Sequence, residues 1–204
     1  MIVFAPHPSR PTPPSPARQR MTDLEWAALL PYLLHRSPQG RPLKELRQRM
    51  EGIFLIATTH RPWRDLPAEY GKADTVARYF RRLTHAGLWE RLLQALADSA
   101  PTHPLWGLGQ RILRACRRAH RILGLGFNRL IRILGLRAAL PGPPWLLPDP
   151  LLSETLAGVA IPAPHTAPWG RRGALKERLR SLQWLHRAAA GRARISRATR
   201  LGWP

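Results

Sequence analysis

The amino-acid sequence predicts an all-α protein: a small helical bundle with a helix–turn–helix-like core, followed by basic helices and proline-rich irregular segments. Three observations lead there. Apolar residues between positions 22 and 97 recur at the spacing of one helix face. Farther on, the triplet Arg-Ile-Leu returns at 111–113, 121–123 and 132–134, which keeps Ile and Leu roughly on one side of a helix. The 22 prolines and 15 glycines make up about 18% of the 204 residues against a usual share of about 12%, so ordered patches must alternate with irregular stretches.

Taken in order, residues 1–20 carry six prolines between Pro6 and Pro16 and nothing periodic, which predicts a disordered leader. Met21 stands immediately before a helix start, the expected true start of translation. Thr22-Asp23-Leu24-Glu25 has the form of a capping box, in which the Thr22 hydroxyl and the Glu25 carboxylate each satisfy a backbone N–H. Leu24, Trp26, Leu29, Leu30 and Leu33 follow, with Pro31 placed to bend or end that helix.

A second helix opens at Pro42, a residue suited to the first turn, with Leu43, Leu46, Met50, Ile53, Phe54 and Ala57 as its stripe; Lys44, Arg47 and Arg49 lie mostly off it. The loop from Thr58 to Gly71 is anchored by Trp63, Leu66 and Tyr70. A third helix starts at Asp74 as cap and runs to about His85, with Val76, Tyr79, Phe80 and Leu83 inward and Arg78, Arg81 and Arg82 outward; Gly87 is its stop. Leu88, Trp89, Leu92, Leu93 and Leu96 form the inner face of a fourth. Residues 21–100 thus read as one helical domain, and Trp26, Trp63 and Trp89 as core side chains.

The rest divides into a basic amphipathic segment at 101–140, a proline-rich linker at 141–170 with a turn of helix around Leu151–Val159, and a basic helix and tail at 171–204. In the first of these, Gly124, Gly126 and Gly135 weaken the helix. With arginine opposite its apolar side, it is suited to lie along DNA or on an anionic membrane surface, or is barely folded by itself.

The net charge of +21 makes a polyanion the expected partner. After residue 91 the 18 basic and 4 acidic residues leave +14, so most of the field comes from the C-terminal half. Thirty of the 33 basic residues are arginine, suited to bidentate phosphate and guanine contacts and also favoured by GC-rich codons. Cys116 is the only cysteine, which rules out an intramolecular disulfide and a cysteine zinc site, and the eight histidines include no pair at helical ligand spacing. No metal and no cofactor is implied. No apolar run reaches the ~18 residues of a membrane span, so the expected place is the bacterial cytoplasm, at the nucleoid.

The series Trp26, Leu30-Pro31, Gly40-Arg41-Pro42, Gly52-Ile53, PWRDLPAEYG at 62–71, Thr75-Val76 with Arg78, Phe80-Arg81-Arg82, and Gly87-Leu88-Trp89-Glu90 with Leu92-Leu93 is similar in order and spacing to the N-terminal domain of bacterial insertion-element transposases. That resemblance covers residues 22–97. It implies a helical domain that binds DNA at the element's terminal repeats, ahead of a separate domain whose carboxylates hold two metal ions. The chain departs from the family pattern at His60 and Arg61, where a glycine and a small residue are expected, at Ala73, where an aromatic is common, and at Leu83, where a tryptophan often stands.

A two-metal site needs several converging carboxylates. After residue 97 the acids are Asp98, Asp149, Glu154 and Glu177, none in a strand-like run. Asp65 in Trp-Arg-Asp-Leu-Pro reads as a turn or cap acceptor. The expectation is therefore a DNA-binding, transposase-like chain with no catalytic residue of its own. Its candidate contacts are Arg78, Arg81 and Arg82 on a recognition helix, with Arg41, Lys44 and Lys72 on the flanking backbone, and its partners duplex DNA and a second copy of the chain. The alternative is a basic interaction protein that binds an anionic membrane surface or RNA.

Overall fold

A computed structural model describes residues 20–33, 45–160, 172–192 and 194–203. Residues 1–19 of the expected leader and the expected contacts Arg41 and Lys44 lie outside them, as does the expected start of the second helix at Pro42 and Leu43. The described residues are all-α, with no strand among them. Those up to Pro141 form one compact unit and those from Gly142 a second.

In the first unit, helix α1 spans Asp23–Leu33. Its capping box closes as the sequence predicts: the Thr22 N–H donates to Glu25 Oε2 at 2.8 Å and the Glu25 N–H to Thr22 Oγ1 at 3.2 Å. Pro31 sits in the last turn rather than ending the helix before it. Helix α2 runs Leu46–Thr59, preceded by Glu45 in the left-handed region at φ 60°, and it buries Met50, Ile53, Phe54, Ile56 and Ala57. Met21 is buried beside it, its N–H donating to Glu51 Oε1 at 3.2 Å.

The connection to the next helix is two short 3₁₀ turns, Trp63–Asp65 and Ala68–Tyr70, each led by a proline whose carbonyl accepts the closing bond. It folds back on α2, and a Cβ added at Gly52 would lie 2.7 Å from the Cβ of Tyr70, so only glycine admits this approach.

Helix α3 spans Ala73–His85. Its N-cap is Lys72 with no side-chain cap bond, which corrects the expected cap at Asp74. Asp74 lies inside the first turn, where its carboxylate bonds Arg78 one turn on instead of capping a backbone N–H. Gly87, at φ 72°, reverses the chain into α4, Leu88–Asp98. The five predicted inward residues of α4 are fully buried. Trp89 closes a row of rings: Trp63 to Phe80 and Phe80 to Trp89 are both 5.4 Å between centroids, and Trp89 Nε1 donates to Thr84 Oγ1 at 2.8 Å. Trp89 is fully buried, whereas Trp26 and Trp63 are half-buried.

Helix α5, Gly109–Ile133, is not a free basic helix but packs on α2, α3 and α4. Ile112, Ala115, Cys116 and Ala119 have no exposed surface. The small side chains bring its axis close to its neighbours; Arg111 and Arg117 are themselves buried, while Arg114 and Arg118 lie half-buried at the rim on long apolar stems. The expected boundary near residue 100 therefore falls inside the compact unit. At Gly124 the backbone leaves helical geometry, φ 67° and ψ −147°, and α5 bends before Phe127, Asn128 and Ile131 return to the interior. The turn at Arg137–Ala139 packs back on α5, where Arg117 Nε donates to the Ala138 carbonyl at 2.7 Å.

The second unit holds α6, Pro150–Ala157, α7, Arg172–Ala190, and α8, Arg197–Leu201. Asp149 caps α6, accepting from the Leu152 N–H at 3.2 Å with Pro150 at the first helical position. Helix α7 packs on α6. The Asp149 N–H bonds the Ala189 carbonyl at 2.8 Å, and that of Arg192 the Leu146 carbonyl at 2.9 Å. Of the expected linker at 141–170, residues up to 160 carry this turn and helix, and 161–170 lie outside the described residues. Within the tail, α8 forms, capped by Ser196. No described helix is long and apolar enough to cross a membrane.

Candidate nucleic-acid interface

Helix α3 places its residues on two opposed faces. Val76, Tyr79, Phe80 and Leu83 are buried, and Arg78, Arg81 and Arg82 are exposed, as expected from their positions. Thr75, Arg78, Tyr79 and Arg82 share one strip of the helix, at steps of three and four, with Arg81 beside it. Lys72 is exposed just ahead of the first turn.

The arginines are not equivalent. The Nε of Arg78 donates to Asp74 Oδ2 at 2.8 Å, and its Nη2 closes the pair; that bond holds the Asp74 carboxyl below its ordinary pKa. The Arg82 guanidinium lies over the Tyr79 ring, 5.2 Å from its centroid, which orients it without neutralising it. Burial raises the Tyr79 phenol above its usual pKa, and the charges of Arg82 and Arg49 act on it in the opposite direction.

Arg49 is the residue that sequence reasoning passed over. It comes from α2, and with Thr75, Arg78, Tyr79 and Arg82 of α3 it lines an open cleft of about 330 Å³. Its position off the apolar stripe of α2 was legible. That it faces α3 across a cleft depends on how the two helices pack.

A second basic cluster surrounds the Trp-Arg-Asp-Leu-Pro loop. From α5, Arg118 donates to the Ile56 carbonyl at 3.1 Å and to the Arg61 carbonyl at 3.0 and 3.2 Å, and its guanidinium lies 4.8 Å from the centroid of the Trp63 ring. Arg114 bonds His60 Nε2 at 2.8 Å. Burial first, then the charges of Arg114, Arg117 and Arg118, lower the His60 pKa below its usual 6.5. These arginines are structural clamps on the loop. Their role could not be read from the sequence, because it joins residues more than fifty positions apart.

Residues 21–93 match the family model described as "Putative transposase of IS4/5 family". This segment is therefore similar to the N-terminal region of insertion-element transposases. Neither the curated proteins nor the solved structures yield a match to the chain. The transposase match ends within α4, so α5, with its clamps on the loop, lies beyond it. The structure also accounts for two departures from the family pattern. His60 occupies the left-handed C-cap of α2 at φ 56°, a conformation glycine adopts without strain, and it is held there by Arg114. Leu83, where the transposase pattern often has tryptophan, still closes the inner face of α3, 8% exposed.

Proposed function

We propose that this transposase-family chain binds duplex DNA through α3, with Arg78, Arg81 and Arg82 on the recognition surface and Lys72 beside it, and with Arg41 and Lys44 as further backbone contacts. The observation that carries this reading is the exposed arginine face of α3, set opposite a face anchored in the core. A helix held in that way can present side chains to a groove without losing its own packing. The pair α2 and α3 acts as a helix–turn–helix-like unit with an extended connection, since residues 60–72 replace the three or four residues of a tight turn. The terminal repeats of an insertion element are the proposed site, met by two copies of the chain at the bacterial nucleoid.

The same reading assigns these residues no strand cleavage. Asp149 is occupied as the cap of α6, and Glu154 and Glu177 are exposed on different helices. Purified protein with magnesium or manganese is expected to leave element-end DNA intact. Metal-dependent nicking abolished by Glu154→Ala would overturn that part. The membrane alternative required a free apolar side along 109–139, and much of that side is spent on the core.

The test of DNA binding is a fluorescence-anisotropy titration of the full chain with a terminal-repeat duplex and a scrambled one, over a salt series. The Arg78/Arg81/Arg82 triple alanine variant, folded by circular dichroism, is expected to lose discrimination between the two and to show a shallower salt slope. If it binds both duplexes as tightly as the parent at moderate salt, α3 is not the recognition helix.

A further inference from the structure

The cleft between α2 and α3 does more than flank the recognition surface. We propose that it is a seat for a single backbone phosphate of duplex DNA, with Arg49 as its principal anchor and Arg82 and the Thr75 hydroxyl as its other donors. The proposal rests on the reading of α3 as the DNA-contacting helix, and adds to it a residue on another helix.

Three guanidinium groups, from Arg49, Arg78 and Arg82, converge on the cleft of about 330 Å³, and none of the described residues that line it is acidic. Like charges gathered in one concave site raise its positive potential, and an anion seated among them relieves that repulsion. The donors are also pre-positioned. Arg82 is laid on the buried Tyr79 ring, and the α2 backbone carrying Arg49 is fixed by Met50 and Ile53, both with no exposed surface. Arg82 therefore has little side-chain freedom to lose on binding, and Arg49 starts from a fixed backbone position. Arg78 is different, because Asp74 holds it in the free protein. A phosphate entering the cleft competes with Asp74 for Arg78, so Asp74 acts as a counter-ion that the DNA displaces.

The ligand is a phosphodiester on a duplex, because the cleft opens on the strip of α3 that carries Arg78 and Arg82. A phosphate seated there would fix the register of the helix on the groove. Such a contact positions the protein and carries no sequence information.

The experiment compares the full chain with Arg49→Gln, which keeps the aliphatic stem and removes the charge, on terminal-repeat duplex, scrambled duplex and phosphatidylglycerol vesicles. Losing one phosphate contact should lower the salt slope by about 0.9, which corresponds to an affinity loss of about eightfold at 0.1 M salt if the ionic contribution vanishes near 1 M. That loss is expected on both duplexes alike, with discrimination retained. Asp74→Asn should act in reverse, tightening binding to both by about two- to fivefold as Arg78 is released. If Arg49→Gln leaves affinity and slope unchanged while the Arg78/Arg81/Arg82 variant loses binding, the phosphate seat is wrong and the DNA reading stands. If neither variant changes binding, both fall. A loss confined to the vesicles would assign the cleft to lipid headgroups and overturn the proposal.

Discussion

Replacing Ile112 by alanine tests whether α5 belongs to the core of the first unit or only accompanies it. Ile112 has no exposed surface and belongs to α5, which packs on α2 and α4. The change removes three buried carbons, about 2.4 kcal/mol at ~0.8 kcal/mol each. Incomplete collapse of the space left behind raises this to about 3–4 kcal/mol, within the 2–5 kcal/mol usual for such truncations. On an exposed amphipathic helix the same change would cost less than about 0.5 kcal/mol. The two pictures therefore differ severalfold. The assay is urea denaturation of the full chain at neutral pH, followed by helical circular dichroism and by tryptophan fluorescence. For a unit of this size the shift corresponds to roughly 10 °C or more in Tm. A change below about 1 kcal/mol, with an unaltered slope against urea, would refute the packing of α5.

The clamp and three titratable groups with displaced pKa values give three further expectations. Arg118→Ala should leave three carbonyl contacts on Ile56 and Arg61 unmet and uncover one face of Trp63, lowering stability by about 1.5–3 kcal/mol and shifting the tryptophan emission to the red; an unchanged spectrum and Tm would show that the loop holds itself. His60 and His120 both have pKa values lowered by burial, so below the ordinary 6.5 the unfolded chain binds more protons than the folded one. Stability contributed by their neutral forms is complete above that value and declines as the pH falls through it, and His60→Gln should flatten the decline, whereas an equally steep profile in that variant would remove His60 from the account. Cys116 is wholly buried and its thiol is pushed well above the usual range, so it should stay inert to a thiol reagent until the protein unfolds; rapid labelling of the native chain would contradict its place in the core.

The residues that local rules govern could be read in one dimension. Thr22 and Glu25 close their box because a capping box needs only neighbours three apart, and Gly87 ends α3 because a left-handed residue is favoured there whatever packs above it. The five inner residues of α4 and the outward arginines of α3 follow from helical periodicity alone. Local rules also misled where two of them competed: Asp74 resembles a cap, but Arg78 one turn later offers its carboxylate a charged partner, and Lys72 takes the capping position.

The sequence by itself determined the helical class, the faces of α3 and α4, the transposase-like segment and the strongly basic character. Only the tertiary structure decided that α5 belongs to the first unit and that Arg49 meets Arg82 across a cleft. It also decided that a histidine survives at φ 56° because Arg114, 54 residues away, bonds its ring. The physical reason is the same in each case. Periodicity states which side of a helix is apolar but not what covers it, and an arginine reads as polar whether its stem crosses a core or its charge stands in water.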